Sequence, residues 1–262
     1  MPELPDVEVY RNVLASTALS RRIASVEIHT GKVVEGLAEE EFQRRLTGQR
    51  FSSALRHGKY LFAGLISGDL LAMHFGMTGE LVYLEQSDPL PEHTRCLFQF
   101  ENGHLLVYTS QRQLGKLLWI EDLEAFVRSR ELGPDAMDPG LVYDAFCQRV
   151  SARQATLKSV LMDQSTLAGI GNIYSDEILF QAELSPKRKA GELTDEELAR
   201  LYKALREVLH MAIEADAEPA RMPERFLIRC RAQGGNCPRC GRQLRALRMG
   251  GRRSWFCPEC QR

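Results

Sequence analysis

A chain of 262 residues is long enough for one large domain or two small ones, and its 44% hydrophobic and 26% charged content is that of an ordinary soluble protein. No stretch approaches the roughly 20 apolar residues a membrane span needs, and the acidic, proline-containing start MPELPDVEVY is no secretory signal, so a cytosolic protein is expected. The net charge of −1 hides an asymmetry: residues 221–262 hold eleven Arg against two acids, a local +9 that leaves −10 on the first 220, the pattern of a polyanion-binding module on an acidic body.

In chain order, a first helix is predicted around Leu4–Leu19. Residues 22–120 then read mostly as short β runs separated by Gly-bearing turns: Ile23–His29, Tyr60–Leu65, Asp69–Phe75, Glu80–Leu84, Leu97–Phe100 and Leu105–Thr109. That spacing predicts a sandwich or barrel. From about Asp122 the texture turns helical, and a linker is expected at 128–140, where ELGPDAMDPG supplies Gly and Pro. Between the helix-like Thr156–Asp163 and Tyr174–Gln181 lies Gln164-STLAGIGN-Ile173. A Gly-rich turn at a helix N-terminus offers backbone N–H groups to an anion, and with the Arg-rich end downstream a phosphate seat is expected here. The clearest helix opens at Thr194, with Glu197 completing a capping box and an apolar face of Leu198, Leu201, Leu205, Leu209 and Ala212.

Four of the seven cysteines form Cys237-Pro-Arg-Cys240 and Cys257-Pro-Glu-Cys260, sixteen residues apart. Two such pairs can place four thiolates around one zinc, with a hairpin turning at Gly250-Gly251 between them. A disulfide or redox pair is the alternative, and a cytosolic chain disfavours it. Four thiolates leave no open position, so the zinc is structural. Cys96, Cys147 and Cys230 stand alone and read as packing residues.

MPELPDVE, Gly58-Lys59-Tyr60-Leu61, His74-Phe75-Gly76-Met77-Thr78-Gly79, Leu132-Gly133-Pro134, Lys158-SVLMDQSTLAGIGNIYSDE-Ile178 and the terminal CxxC…CxxC-Gln occur in this order. Together they resemble the formamidopyrimidine-DNA glycosylase / endonuclease VIII family from end to end, closer to the formamidopyrimidine branch. The resemblance implies an α+β multidomain chain: an N-terminal β-sandwich catalytic domain with flanking helices (1–127), the 128–140 linker, a helical helix–two-turns–helix domain (141–220) and a zinc-ribbon domain (221–262). Damaged double-stranded DNA would lie in the cleft between domains, bound by a bacterial-type, nucleoid-associated monomer needing no small-molecule cofactor for the chemical step.

It also implies base-excision repair by a bifunctional glycosylase and AP lyase. Pro2, terminal once Met1 is trimmed, is a secondary amine with a pKa below that of lysine, so more of it is neutral near pH 7. By the resemblance it attacks C1′, releases the base through an iminium and cuts the strand by β,δ-elimination. Glu3 is the implied general acid/base, Lys59 on the strand Lys59–Leu65 the implied catalytic-region lysine at a flanking phosphate, and Asp6 stands where relatives commonly carry Glu. A flipped base leaves a gap. Met77 would wedge into it, Arg112 would bond the orphaned partner and Leu114 would separate neighbouring bases. Asn172, Lys158, His93 and Arg252 match phosphate contacts, with Arg253 a general polyanion contact.

Two departures bear on substrate. Ser110-Gln111-Arg112-Gln113-Leu114-Gly115 replaces the usual Asp-Pro-Arg-Arg-Phe-Gly, and the interval from Ile213 to Cys237 is about ten residues shorter than usual for the loop that covers 8-oxoguanine. The expectation is a pocket that takes ring-opened purines or oxidised pyrimidines at least as well, an endonuclease VIII-like range. A non-cutting lesion binder and an unrelated zinc-ribbon adaptor are the other classes; retention of Pro2, Glu3 and Lys59 argues against the first, and the PELPD and AGIGN segments against the second.

Overall fold

The computed structural model describes residues 1–262. The chain forms two compact units, one of residues 1–2 and 6–130 and one of residues 3–5 and 131–262.

The first unit is a β-sandwich. After α1 (Leu4–Thr17), β1 (Ile23–Ile28), β2 (Val34–Glu35), α2 (Glu39–Leu46), β3 (Phe51–His57), β4 (Tyr60–Leu65), β5 (Leu70–His74), β6 (Gly79–Glu85), β7 (Thr94–Phe100), β8 (His104–Ser110), β9 (Lys116–Ile120) and α3 (Leu123–Ser129) follow. One sheet runs β1-β7-β8-β6, the other β2-β9-β5-β4-β3, and every pairing is antiparallel except β2 with β9. The inward residues of both sheets share one core: Val26, Phe98, Phe100 and Leu106 from the first, Leu61, Ala63, Leu71, Met73 and Leu117 from the second. Strand β4 is buried on both faces because the period-2 alternation sends Leu61 and Ala63 inward while Phe62 packs outward with Ala72, Leu118 and Phe126 of α3. The Asp122 carboxylate caps α3, accepting from Ala125 N–H at 2.8 Å.

Six of the predicted strands are present within two or three residues. Within the stretch expected to be mostly β, residues 39–46 instead form α2, whose EEEFQRRL presents only Phe42 and Leu46 to the core; β3, an edge strand half polar in sequence, is a strand not among the six named runs. Two apolar residues at i and i+4 suffice when the sheet supplies the other face.

The second unit contains α4 (Tyr143–Ser151), α5 (Leu157–Met162), α6 (Asn172–Gln181), α7 (Asp195–Glu214) and the hairpin β10 (Arg245–Met249)–β11 (Arg252–Phe256). Helix α7 carries the capping box read from sequence: Thr194 Oγ1 accepts from Glu197 N–H, and Glu197 Oε2 accepts from Thr194 N–H at 3.0 Å. Its five expected apolar positions are buried, joined by Ala204 and Val208, at about 1.5–3 kcal/mol for each large side chain. The segment expected as a linker is packed rather than loose. Ala136 is a core residue, and Gly133 and Ala136 N–H groups donate to Gln164 and Ala168 carbonyls of the turn between α5 and α6. Phe180 of α6 packs with Leu227, Leu244, Trp255, Cys237 and Cys257, so the hairpin shares a core with the helices.

Candidate active site, zinc centre and nucleic-acid interface

In the first unit, His57 and Tyr60 close a two-residue turn of Gly58 and Lys59 between β3 and β4. Lys59 therefore sits in the turn, not on the strand as expected, and is only 9% exposed. His74, at the end of β5, pairs with Tyr60, and their rings lie 4.9 Å apart, tilted by 38°. Burial, with Lys59 and Arg130 adding like charge, pushes its imidazole down to about 4, so it is neutral at neutral pH. Its Nδ1 accepts from Gly76 N–H at 3.3 Å, and its carbonyl accepts from Tyr108 O–H at 2.7 Å.

The next residues form a tight turn, with Gly79 N–H donating to Phe75 O at 2.8 Å. At Gly76 the backbone has φ +61° and a Cβ would sit 2.6 Å from Gly115 N, so only glycine lets the 75–79 and 111–115 loops touch. That contact gathers the three residues expected at the DNA gap. Met77 is 41% and Leu114 49% exposed, and Arg112 Nη1 reaches Met77 Sδ at 3.0 Å while its N–H donates to Thr78 Oγ1. Beside them His93 lines a cavity of about 410 Å³ with Met77, Thr78, Glu92 and Gln111.

Glu3 belongs to the second unit and is 1% exposed. Its Oε2 accepts from Gly171 N–H at 2.7 Å and Tyr174 N–H at 3.2 Å, its Oε1 from Ile173 N–H at 2.8 Å. The expected phosphate seat at the start of α6 is thus corrected: the chain's own carboxylate occupies three of its amides, where the helix dipole favours an anion. A Cβ on Gly171 would lie 2.5 Å from Glu3 Oε1, which explains the glycine.

Lys158 is also corrected. It is 1% exposed and its amine donates inward, to Asn172 O at 2.7 Å, Ser175 Oγ at 2.8 Å and Asp176 Oδ1 at 2.6 Å, because a buried ammonium must find an anion and acceptors. Burial pushes its pKa down while Asp176 resists the shift. Asp176 accepts from Ser254 Oγ at 2.5 Å, Arg231 Nε at 2.8 Å and Trp255 N–H at 3.0 Å as well. Asn172 Nδ2 donates to Arg253 O at 3.0 Å, while its Oδ1 is buried without a partner. Arg252 and Arg253 are exposed at the start of β11, and Arg253 stacks over Trp255. The neighbouring Glu177 is pushed up to about 7 by burial and accepts from Leu227 and Ile228 N–H groups. Asp176 and Glu177 were missed from sequence; two acids inside the otherwise apolar NIYSDEILF were the available signal.

The four cysteine sulfurs lie within 4.8 Å of one another, with Cys237–Cys260 at 3.8 Å and Cys240–Cys257 at 3.5 Å. A tetrahedral zinc with bonds of ~2.3 Å separates its sulfurs by ~3.8 Å, so the set fits the metal. Burial pushes Cys237 and Cys260 up, whereas Arg242 N–H holds Cys240 down at about 7. Gly250 and Gly251, both with positive φ, close the hairpin between the pairs.

Three family profiles match in sequence: "Formamidopyrimidine-DNA glycosylase N-terminal domain" over residues 1–117, "Formamidopyrimidine-DNA glycosylase H2TH domain" over 132–223, and "Zinc finger found in FPG and IleRS" over 234–262. The chain belongs to the formamidopyrimidine-DNA glycosylase family. Among relatives bearing that name, the one from Pelotomaculum thermopropionicum is 35% identical over 275 residues, covering 100% of this chain and 99% of that protein. The one from Carboxydothermus hydrogenoformans is 36% identical over 273 residues, with 100% of both chains covered. The solved Lactococcus lactis Fpg in complex with abasic-site DNA superposes with a TM-score of 0.89 at 25% identity over 99% of both chains. MutM in complex with carbocyclic 8-oxo-G DNA gives 0.89 at 26%, also over 99% of both. The profile over 234–262 and the cysteine cluster agree on one structural zinc.

Proposed function

We propose that this family member is a base-excision-repair DNA glycosylase and AP lyase whose reaction runs through Pro2. With Met1 removed, the Pro2 nitrogen lone pair bonds C1′ as the C1′–N bond to the damaged base breaks and the base leaves with that electron pair. Protonation of O4′ opens the sugar and yields an iminium. The iminium acidifies C2′–H; loss of that proton expels the 3′ phosphate, and a second elimination expels the 5′ phosphate. Glu3, one peptide bond from the nucleophile, is the proton shuttle. Lys59, Asn172 and Arg252 hold phosphates, while Met77, Arg112 and Leu114 fill the gap left by the flipped nucleotide.

The observation that carries this reading is the fixed Glu3 carboxylate. Three backbone N–H groups hold it at the helix start, directly after the only residue able to present a secondary amine terminus. Treating the processed protein with borohydride and abasic-site DNA should leave an adduct on Pro2. A processed chain that binds this DNA but traps nothing would instead be a non-cutting lesion binder.

A broad lesion range is part of the proposal. The interval after α7 is pinned in its middle: Met222, Phe226 and Leu227 are buried, and Arg229 donates to Met222 O. That anchoring, with the interval shorter than usual, shortens the chain able to fold over an oxidised purine. Ring-opened purines and oxidised pyrimidines should therefore be excised at least as fast as 8-oxoguanine. Strong 8-oxoguanine preference over dihydrothymine in matched duplexes would sink this part. No helix is long and apolar enough to cross a membrane. In keeping with its bacterial relatives, the proposal includes a monomer working on DNA in the bacterial cytoplasm.

A further inference from the structure

We infer that Asp176 is a positioning residue that fastens the hairpin strand β11 to the first turn of α6, so that Asn172 and Arg252 act as one preset phosphate clamp. The inference rests on the phosphate roles proposed for those two residues.

Asp176 is fully buried and its two oxygens take four donors from three separate stretches of chain. Lys158 of α5 and Ser254 Oγ of β11 meet Oδ1; Arg231 and the Trp255 N–H of β11 meet Oδ2. A carboxylate has about four lone-pair sites, so its capacity is filled. The same cations then converge on the start of α6. Lys158 Nζ donates to Asn172 O at 2.7 Å and Arg231 Nη2 to the same oxygen at 3.2 Å, while Arg231 Nη2 also reaches Arg253 O at 3.4 Å. Asn172 closes the ring by donating Nδ2 to Arg253 O. Asn172 and the part of β11 that carries Arg252 are thus held from beneath through one carboxylate, although Asn172 and Arg252 lie eighty residues apart in sequence.

Charge and geometry act together: buried Lys158 and part-buried Arg231 are balanced by Asp176 and by Glu3 at the same helix start, so the cluster is close to neutral and serves to hold the two elements in register. A network kept only for folding could be replaced by apolar residues at little cost.

The test uses full-length, Met1-processed, zinc-loaded protein and a duplex carrying a reduced, uncleavable abasic site. Kd is measured from 50 to 200 mM salt for wild type, Asn172→Ala, Arg252→Ala, Asp176→Asn, Ser254→Ala and Ser254→Ala/Arg252→Ala. Borohydride trapping on saturating abasic DNA reports the chemical step. Asp176→Asn and Ser254→Ala should weaken binding about tenfold and flatten the slope of log K against log salt by about one. They should keep one zinc and trap within about threefold of wild type at saturation. Arg252→Ala should cost less in the Ser254→Ala background than alone, because the clamp is already loose. If Asp176→Asn does not fold, Ser254→Ala, which deletes one of the four bonds, carries the test. Folded, zinc-bound variants with wild-type Kd and slope, or strict additivity with Arg252→Ala, would overturn the inference. Wild-type binding by both Asn172→Ala and Arg252→Ala overturns it by another route, by refuting the phosphate roles themselves.

Discussion

Replacing Gly171 by alanine adds one methyl where there is no room. The new Cβ would lie 2.5 Å from Glu3 Oε1, 2.7 Å from Cγ and closer still to Cδ, while Glu3 is anchored by three amides and the Leu4 N–H donates to Gly169 O at 3.0 Å. The carboxylate must therefore retreat by roughly an ångström, giving up some of its charge-assisted bonds at about 1.5–3 kcal/mol each in part-recovered form. Overpacking of this kind typically costs about 1–3 kcal/mol, or a Tm lower by about 2–10 °C in a chain of this size. Activity should suffer more than stability, since displacing a reacting group by about 1 Å can cost 10²-fold. The assay is single-turnover borohydride trapping on saturating abasic DNA, alongside thermal melting. Gly140→Ala, whose nearest neighbour is an exposed Asp138 oxygen at 3.2 Å, is the matched control and should be silent. A Gly171→Ala protein that traps within twofold of wild type and melts at the same temperature would refute the idea that the glycine exists to seat Glu3.

Stability should fall as pH rises, through Glu177. Its folded pKa of about 7 exceeds the free acid's 4.5, so the contribution is complete below about 4.5 and is lost as pH climbs through about 7, by roughly 3 kcal/mol. Melting curves of wild type and Glu177→Gln between pH 5 and 8 should diverge with wild type losing ground; parallel curves would contradict it. Stripping the metal with a chelator should release one zinc per chain and abolish tight binding of abasic DNA, both restored by adding zinc back; full affinity without metal would rule out its structural role. Met77→Ala and Leu114→Ala, at exposed positions, should change stability by under about 0.5 kcal/mol. They should slow release of a base-paired lesion about tenfold while sparing cleavage of a preformed abasic site, because only the first needs the base displaced. Equal losses on both substrates would argue against a wedge.

Features set by local chemistry were legible in the sequence. The Thr194–Glu197 box, the apolar face of α7, the Gly250–Gly251 hairpin and the paired cysteines each declare themselves within a few residues. Helix α2 was not legible, because Phe42 and Leu46 make too short a stripe until a sheet lies beneath them. Lys158 and the AGIGN turn were misread for one shared reason. A cation and a set of free amides both look outward in sequence, and which anion satisfies them depends on residues 18 and 168 positions away.

Those internal anions carry the larger lesson about the second unit. The first turn of α6 would by itself attract any phosphate, and Lys158 and Arg231 would strengthen the attraction. Glu3 and Asp176 neutralise most of that pull from inside, leaving the amides and ammonium groups unavailable to solvent. What remains exposed are selected donors: the arginines at the start of β11, anchored through Asp176, beside an Asn172 whose side chain is tied to the same strand. Burying three charges to expose a few well-placed contacts is poor economy for stability, where a buried ion pair commonly gains nothing over apolar packing. It does fix geometry, and under the mechanism proposed above, in which the N-terminal amine attacks a nucleotide held still, catalysis depends on fixed geometry more than on a deep free-energy well.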